Sequence, residues 1–345
     1  MTQGPPITDP SSQQPNSGRR TRLAPSPTGA LHLGNARTFL ATWLLARQQG
    51  WKVLLRIEDL DGPRVKQGTA HQAIDDLVWL GLNWDEGPFF QSPRTEQYRA
   101  AIDQLVEKRW AYPCVCSRRE AVLAASAPHA DEHQTIYPGT CRDRFATIDK
   151  ARAMSGKPPA IRFRMPDTSV EFTDVFRGKQ SFDVRKQLGD FVIAKADGTP
   201  AYQLAVVVDD ADMGVTDVIR GDDLLDSTPR QMLIYRTLDR AKQIPTYTHL
   251  PLVVGADGRR LAKRHGDTRL SHYRERGVKP ERVIAMLAKW LGVPDVGDSV
   301  DGLAKSLVGR FDLSRVPRQP IVHDEAKQSL LKREGATRWK TSTGA

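Results

Sequence analysis

Between Thr21 and Ile57 the chain changes character repeatedly, and that succession leaves few folds open. The short segment Thr21-Arg-Leu-Ala runs into the turn-former Pro25-Ser-Pro-Thr-Gly. Residues 35–49 then carry Ala36, Phe39, Leu40, Trp43 and Leu44 at helical spacing, Gly50 ends the run, and Val53-Leu-Leu-Arg-Ile follows as a compact segment of strand type. Strand, turn, helix, strand is a βαβ unit, which implies a parallel sheet with a right-handed crossover. Ligands of such sheets gather at the carboxyl ends of the strands. The loop from Pro25 to Gly34 therefore lies at the binding end.

A chain of 345 residues has room for about two domains of this kind. Residues 1–18, rich in Pro, Ser, Gln and Gly, are expected to be a disordered leader. Helices are predicted over 68–80 and 95–108, short strands over 160–200 around Asp197-Gly-Thr-Pro, and buried strands over 201–208 and 215–220. Ser227-Thr-Pro opens a further helix, 279–291 is amphipathic, and the pattern fades near Asp324. No run of about 18 apolar residues exists to cross a membrane, and Met1-Thr-Gln-Gly-Pro-Pro does not read as a signal peptide. A cytoplasmic protein is expected. The net charge of +10 suits a polyanionic partner, although it serves solubility equally well.

Two clusters carry chemistry. In Ala24-Pro-Ser-Pro-Thr-Gly-Ala-Leu-His-Leu-Gly-Asn-Ala-Arg, Gly29 and Gly34 allow backbone to approach a ligand, and Asn35 is placed to cap the helix. Free N–H groups there favour phosphate, and His32 can donate to a phosphate oxygen as charge develops. By itself the segment also reads as a Pro/Gly turn with a surface histidine. The three cysteines form Cys114-x-Cys116 and, farther on, Cys141, an odd set that suits tetrahedral Zn²⁺ with a fourth donor nearby. His129 and His133 are candidates for that donor, and three reduced cysteines without metal are the plain alternative.

The first segment resembles the HIGH signature of class I aminoacyl-tRNA synthetases. Arg22-Leu-Ala-Pro-Ser-Pro-Thr-Gly and Arg56-Ile-Glu-Asp-Leu-Asp resemble its glutamyl branch, as do Ala201-Tyr-Gln-Leu-Ala-Val-Val-Val-Asp-Asp and Val218-Ile-Arg-Gly-Asp-Asp. The resemblance implies that Arg22, Leu23, Ala24, Pro25, Ser26, Glu58, Tyr202 and Arg220 bind L-glutamate, with Arg220 on its side-chain carboxylate. Two acids call for arginines and an amine for a carboxylate. It also implies that His32, Gly34, Asn35 and Lys263 bind ATP, accompanied by Mg²⁺, and that His32 and Lys263 are catalytic. Lys263 lies in Arg260-Leu-Ala-Lys-Arg-His-Gly, which resembles the KMSKS loop. Arg260 and Ala262 depart from it; the lost hydroxyl removes one hydrogen bond, worth about 1 kcal/mol.

Asp223-Leu-Leu-Asp-Ser-Thr-Pro-Arg-Gln, the cysteine pattern and the chain length are similar to the glutamyl-queuosine tRNA(Asp) synthetases, a shortened branch without the helical anticodon-binding domain. That branch implies Tyr137 as fourth zinc ligand. The implied fold is α/β, a Rossmann-type parallel sheet with an inserted zinc-containing subdomain and a short helical C-terminal region. Its expected divisions are a catalytic first half at 19–110, the zinc subdomain at 111–200 and a catalytic second half at 201–265. A helical stem-contact region at 266–323 and a basic tail at 324–345 complete the chain. The implied reaction is formation of glutamyl-adenylate and transfer of glutamate to queuosine in the anticodon of tRNA(Asp), by a monomer. The alternatives are a compact synthetase charging the 3′ end of tRNA(Glu), and a non-catalytic tRNA- or nucleotide-binding protein.

Overall fold

The computed structural model describes residues 18–27, 30–60, 68–117, 119–120, 136–259, 261, 267–297, 299 and 302–323. The chain begins with β1 (Arg20–Leu23), α1 (Leu33–Gln48), β2 (Lys52–Ile57), α2 (Thr69–Trp79) and β3 (Glu86–Phe90). The strands pair in parallel in the order β1-β2-β3, as a βαβ unit requires. After α3 (Thr95–Glu107) comes an antiparallel insert. Its parts are β4 (Ala111–Cys114), α4 (Ile148–Ser155), β5 (Ala160–Phe163), β6 (Ser169–Asp174), β7 (Gly178–Asp183), α5 (Val184–Gln187) and β8 (Phe191–Ala194). Strands β4-β5-β8 form one sheet and β6-β7 a hairpin.

The chain then returns through α6 (Tyr202–Asp212), β9 (Asp217–Gly221), α7 (Ser227–Thr237) and β10 (Thr246–Leu250). β9 and β10 are parallel, and β9 lies beside β1: Thr216 N donates to Arg20 O at 2.9 Å and Thr21 Oγ1 to Asp217 O at 2.8 Å. The carboxyl ends of β1, β2, β9 and β10 thus converge. β11 (Val253–Val254), α8 (Leu270–Glu275), α9 (Pro280–Trp290), a 3₁₀ stretch at Leu303–Arg310 and β12 (Ile321–Val322) follow, and β12 pairs with β11.

One apolar core joins α1 and β2 to α2, α9 and the 3₁₀ stretch, through Leu40, Leu44, Leu55, Leu77, Ile284 and Leu307. A second packs α3, α6 and α7 against β5 and β8 through Tyr98, Phe163, Val207 and Ile234.

The segment 201–208, expected as a strand, is instead the start of helix α6. Every residue from Leu204 to Ala211 is buried, because α3 and α7 cover the helix. A helix enclosed on all sides shows no apolar stripe, so its valine run mimics a buried strand. Helix α1 begins at Leu33 rather than 35, so Asn35 sits in its first turn and His32 occupies the capping position. β3 had no strand signal because it contains Gly87 and Pro88, which a strand tolerates at a sheet edge, where β3 lies.

Candidate active site

At the converging strand ends lies a cavity of about 510 Å³, lined by Arg22, Ser26, Glu58, Tyr202 and Arg220 on one side and by His32, Gly34 and Asn35 on the other. Arg22 projects from β1 and is 6% exposed. Its Nη1 lies 3.5 Å from Ile219 O and its Nε 3.6 Å from Asp210 Oδ1. Asp210 is held more tightly by the fully buried Arg56, at 2.6 Å. Arg56 also donates to Glu58 Oε1 at 3.1 Å, while Ser26 Oγ stands 3.3 Å from Glu58 Oε2. The Glu58 backbone N–H donates to Pro25 O at 3.0 Å, which fixes this carboxylate between the first loop and β2. Burial pushes the Glu58 carboxyl above its ordinary value, against the pull of Arg56 and Arg22.

Arg220, near the end of β9, is 5% exposed and held at three points by uncharged groups. Its Nε donates to His249 Nε2 at 2.9 Å, Nη1 to Gln231 Oε1 at 2.9 Å and Nη2 to Thr228 Oγ1 at 2.8 Å. The Tyr247 ring lies 5.2 Å from its guanidinium carbon. Five N–H donors meet three acceptors, so two remain beside the cavity with a charge that none of these neighbours cancels. A buried cation in that state favours an anionic ligand.

Across the cavity, the amino end of α1 brings His32, Gly34 and Asn35 to the wall. Asn35 Oδ1 lies 3.5 Å from the His32 backbone nitrogen. At Gly34 a Cβ would come within 3.2 Å of the His32 ring, so glycine lets that ring fold against the helix. The segment 268–270 is pinned to the same place. Leu33 N donates to Thr268 O at 2.9 Å and Leu270 N to Leu31 O at 2.8 Å. Leu261 is buried, its nitrogen 3.4 Å from Val253 O. Lys263, Arg260 and Ala262 lie outside the described residues, but Leu261 and Thr268 tie the chain on either side of Lys263 to the α1 end of the cavity.

The cysteines assemble elsewhere, beside β4. The Cys114, Cys116 and Cys141 sulfur atoms lie within 4.8 Å of one another, Cys116 and Cys141 being 3.5 Å apart. Tyr137 Oη is 3.4 Å from both Cys114 Sγ and Cys116 Sγ and accepts from Cys141 N at 2.9 Å. In tetrahedral zinc sites with sulfur and oxygen donors, ligand-to-ligand edges are about 3.5–3.8 Å. The four groups therefore suit such an ion in kind and spacing. Arg162 Nε donates to Cys114 Sγ at 3.2 Å, and its guanidinium covers the Tyr137 ring at 3.9 Å, adding positive charge beside the donors. Burial pushes the Cys116 thiol up to about 11, while hydrogen bonds from its neighbours hold the Cys141 thiol below its ordinary value. His129 and His133 lie outside the described residues.

Of the predicted ligand-binding residues, Arg22, Ala24, Pro25, Ser26, His32, Gly34, Asn35, Glu58, Tyr202 and Arg220 meet around one cavity. Leu23 does not line it: its side chain is fully buried in the core under α1, because alternate residues of β1 face opposite ways. The supporting groups Asp210, Thr228, Gln231 and His249 were not foreseen. Each is a common residue in a buried element, and only a three-dimensional neighbour distinguishes it.

The family model described as tRNA synthetases class I (E and Q), catalytic domain, matches residues 19–325. The Glutamyl-Q tRNA(Asp) synthetase of Symbiobacterium thermophilum is 50% identical over 309 residues, covering 87% of this chain and 94% of that protein. Its namesake from Rhodopirellula baltica is 46% identical over 321 residues, covering 88% and 96%. A glutamate tRNA ligase from Elizabethkingia meningosepticum, solved in complex with its amino acid, matches with a TM-score of 0.75 at 29% identity, over 91% of this chain and 68% of that one. With a signature-bearing parallel sheet and a cavity where that sheet places one, the chain belongs to the class I tRNA synthetases of the E and Q type.

Proposed function

We propose that this protein activates L-glutamate with ATP and transfers it to the queuosine base of tRNA(Asp). Relatives up to 50% identical over nearly their whole length carry that name, and the charges lining the cavity complement those of glutamate. Arg220 takes the side-chain carboxylate, and Glu58 takes the ammonium while Ser26 and Arg56 hold it in place. Arg22 and Tyr202 close the remaining sides.

In the first step an oxygen of the glutamate α-carboxylate attacks the α-phosphorus of ATP, and pyrophosphate leaves. His32 and the N–H groups opening α1 stabilise the charge that builds on the phosphates, and Lys263 adds its cation from the neighbouring loop. Mg²⁺ accompanying ATP would supply further neutralisation of the phosphate charge. In the second step a hydroxyl of the queuosine ring attacks the glutamyl carbonyl carbon and AMP departs. An anticodon base sits on an exposed loop and can be splayed into a surface cavity. The excess of Lys and Arg favours its phosphate backbone, so binding weakens with salt.

Cys114, Cys116, Tyr137 and Cys141 would hold a structural zinc ion, which would brace the insert. The protein acts in the cytoplasm; among the described residues no helix is long and apolar enough to cross a membrane. The test is charging with radiolabelled glutamate and ATP on tRNA(Asp) with queuosine, tRNA(Asp) without it, and tRNA(Glu). Label on the first alone is expected. Label on tRNA(Glu) instead would make the protein a compact glutamyl-tRNA synthetase, and label on none would leave a binding protein.

A further inference from the structure

Behind Arg220 stands a pair of groups that does not itself line the cavity and that plays no part in the two reaction steps. His249, fully buried in β10, accepts from Arg220 Nε through Nε2 at 2.9 Å, and its Nδ1 lies 2.7 Å from Asp174 Oδ2 at the end of β6. Arginine always donates, so the accepting Nε2 carries no proton. The ring is therefore neutral, with its one proton on Nδ1, directed at Asp174. Burial lowers the His249 pKa, which agrees with a neutral ring. The other oxygen of Asp174 is engaged separately. Oδ1 accepts from the backbone nitrogens of Phe176 at 3.0 Å, Arg177 at 2.7 Å and His249 at 3.2 Å, which leaves Oδ2 for the ring alone.

We infer that Asp174 and His249 are positioning residues for the substrate's side-chain carboxylate: Asp174 fixes the His249 tautomer, and the resulting acceptor holds Arg220 in the orientation that selects an acid over an amide. A carboxylate placed against Arg220 itself would serve poorly, since it would cancel the charge the ligand needs. A neutral acceptor orients the guanidinium and leaves its charge to the substrate, and a donor at that point would repel it. The arrangement uses the logic by which a buried aspartate sets a histidine tautomer in hydrolase triads, here turned to binding. The inference rests on the proposal that the cavity takes glutamate.

Two sets of variants test it. In Asp174→Asn the amide oxygen keeps the three backbone bonds at Oδ1, while its NH₂ replaces Oδ2 and must donate to Nδ1. The proton then moves to Nε2 and meets the Arg220 Nε–H head on. His249→Gln restores an acceptor near the Nε2 position, whereas His249→Asn reaches only the Nδ1 position; both lose the ring. Pyrophosphate exchange gives KM for glutamate and for ATP, glutamine gives the discrimination, ¹⁵N shifts of the ring give the tautomer, and thermal melts report folding.

The expected result for Asp174→Asn is a flipped tautomer, a KM for glutamate about 10- to 100-fold higher, reduced preference for glutamate over glutamine and a KM for ATP within about twofold. His249→Asn should match it and His249→Gln should recover most of the loss. An unflipped tautomer, parallel changes in both KM values, or equal behaviour of the two His249 variants would overturn the inference. Wild-type protein with no glutamate-dependent exchange would instead overturn the glutamate reading on which it rests.

Discussion

The cavity and the cysteine cluster solve the same physical problem, holding charge inside a protein, in opposite ways. The cysteine cluster draws its donors from a short stretch, Cys114 to Cys141, with Arg162 from the paired strand β5. The cavity draws Arg22 from β1, Glu58 from beyond β2, Tyr202 from α6 and Arg220 from β9, and behind them Asp209 and Asp210 from α6. The cluster offers a donor set that suits a single cation. The cavity already contains balanced and unbalanced charge: Arg56 is matched by Asp210 and Glu58, while Arg220 is held only by neutral groups. A structural centre is completed by one ion for good, whereas a binding site must keep a charge uncancelled and accept the cost until the ligand arrives.

That contrast can be broken first at Arg220. Arg220→Ala removes the uncancelled charge and strands His249, Thr228 and Gln231 without their donor, so kcat/KM for glutamate in pyrophosphate exchange should fall by about 10²–10³-fold. A loss below about fivefold would mean that another group carries the side-chain carboxylate. Next in size is the cluster. Cys141→Ser should abolish the bound zinc, about one ion per chain by atomic emission, and lower the melting midpoint by roughly 5 °C. KM for glutamate should hardly move, because the two regions share no residue. A metal-free wild type of undiminished stability would remove zinc from this account.

Glu58 sharpens the comparison through pH. Burial raises its pKa, with Arg56 and Arg22 pulling it back. Since the folded value lies above the unfolded one, Glu58 contributes stability fully below the unfolded carboxyl range and loses it as pH rises through the raised value. Binding runs the other way, because the ammonium needs the carboxylate. Glutamate affinity should weaken as pH falls through that value, and Glu58→Gln should bind weakly, without this dependence. Melts and titration calorimetry across about pH 4 to 8 read both signs. The smallest effect is expected at Gly34. Its Cβ would press the His32 ring at 3.2 Å, so Gly34→Ala should raise KM for ATP about fivefold and leave glutamate binding alone.

What the sequence disclosed follows from the same contrast. Arg22, Ser26, His32 and Gly34 fall within one short stretch from the first strand to the start of the helix, and Glu58 just past the next strand, so strand, turn, helix and strand place them together before any coordinates are seen. The cysteines are legible for a similar reason. Helix α6 was not, since burial on every side erased its periodicity. Asp174 and His249 were invisible for a different reason: they stand 75 positions apart and meet only because β6 and β10 pack together. Ligands that touch substrate cluster in motifs, while the residues that orient them are drawn from wherever the fold brings a chain past.

The most direct measurement is a crystal structure with a non-hydrolysable glutamyl-adenylate analogue. The account predicts the side-chain carboxylate against the two free Arg220 N–H groups, the ammonium at Glu58 and the adenylate along the amino end of α1. An analogue bound with its ammonium away from Glu58, or its side-chain carboxylate on any group other than Arg220, would contradict it.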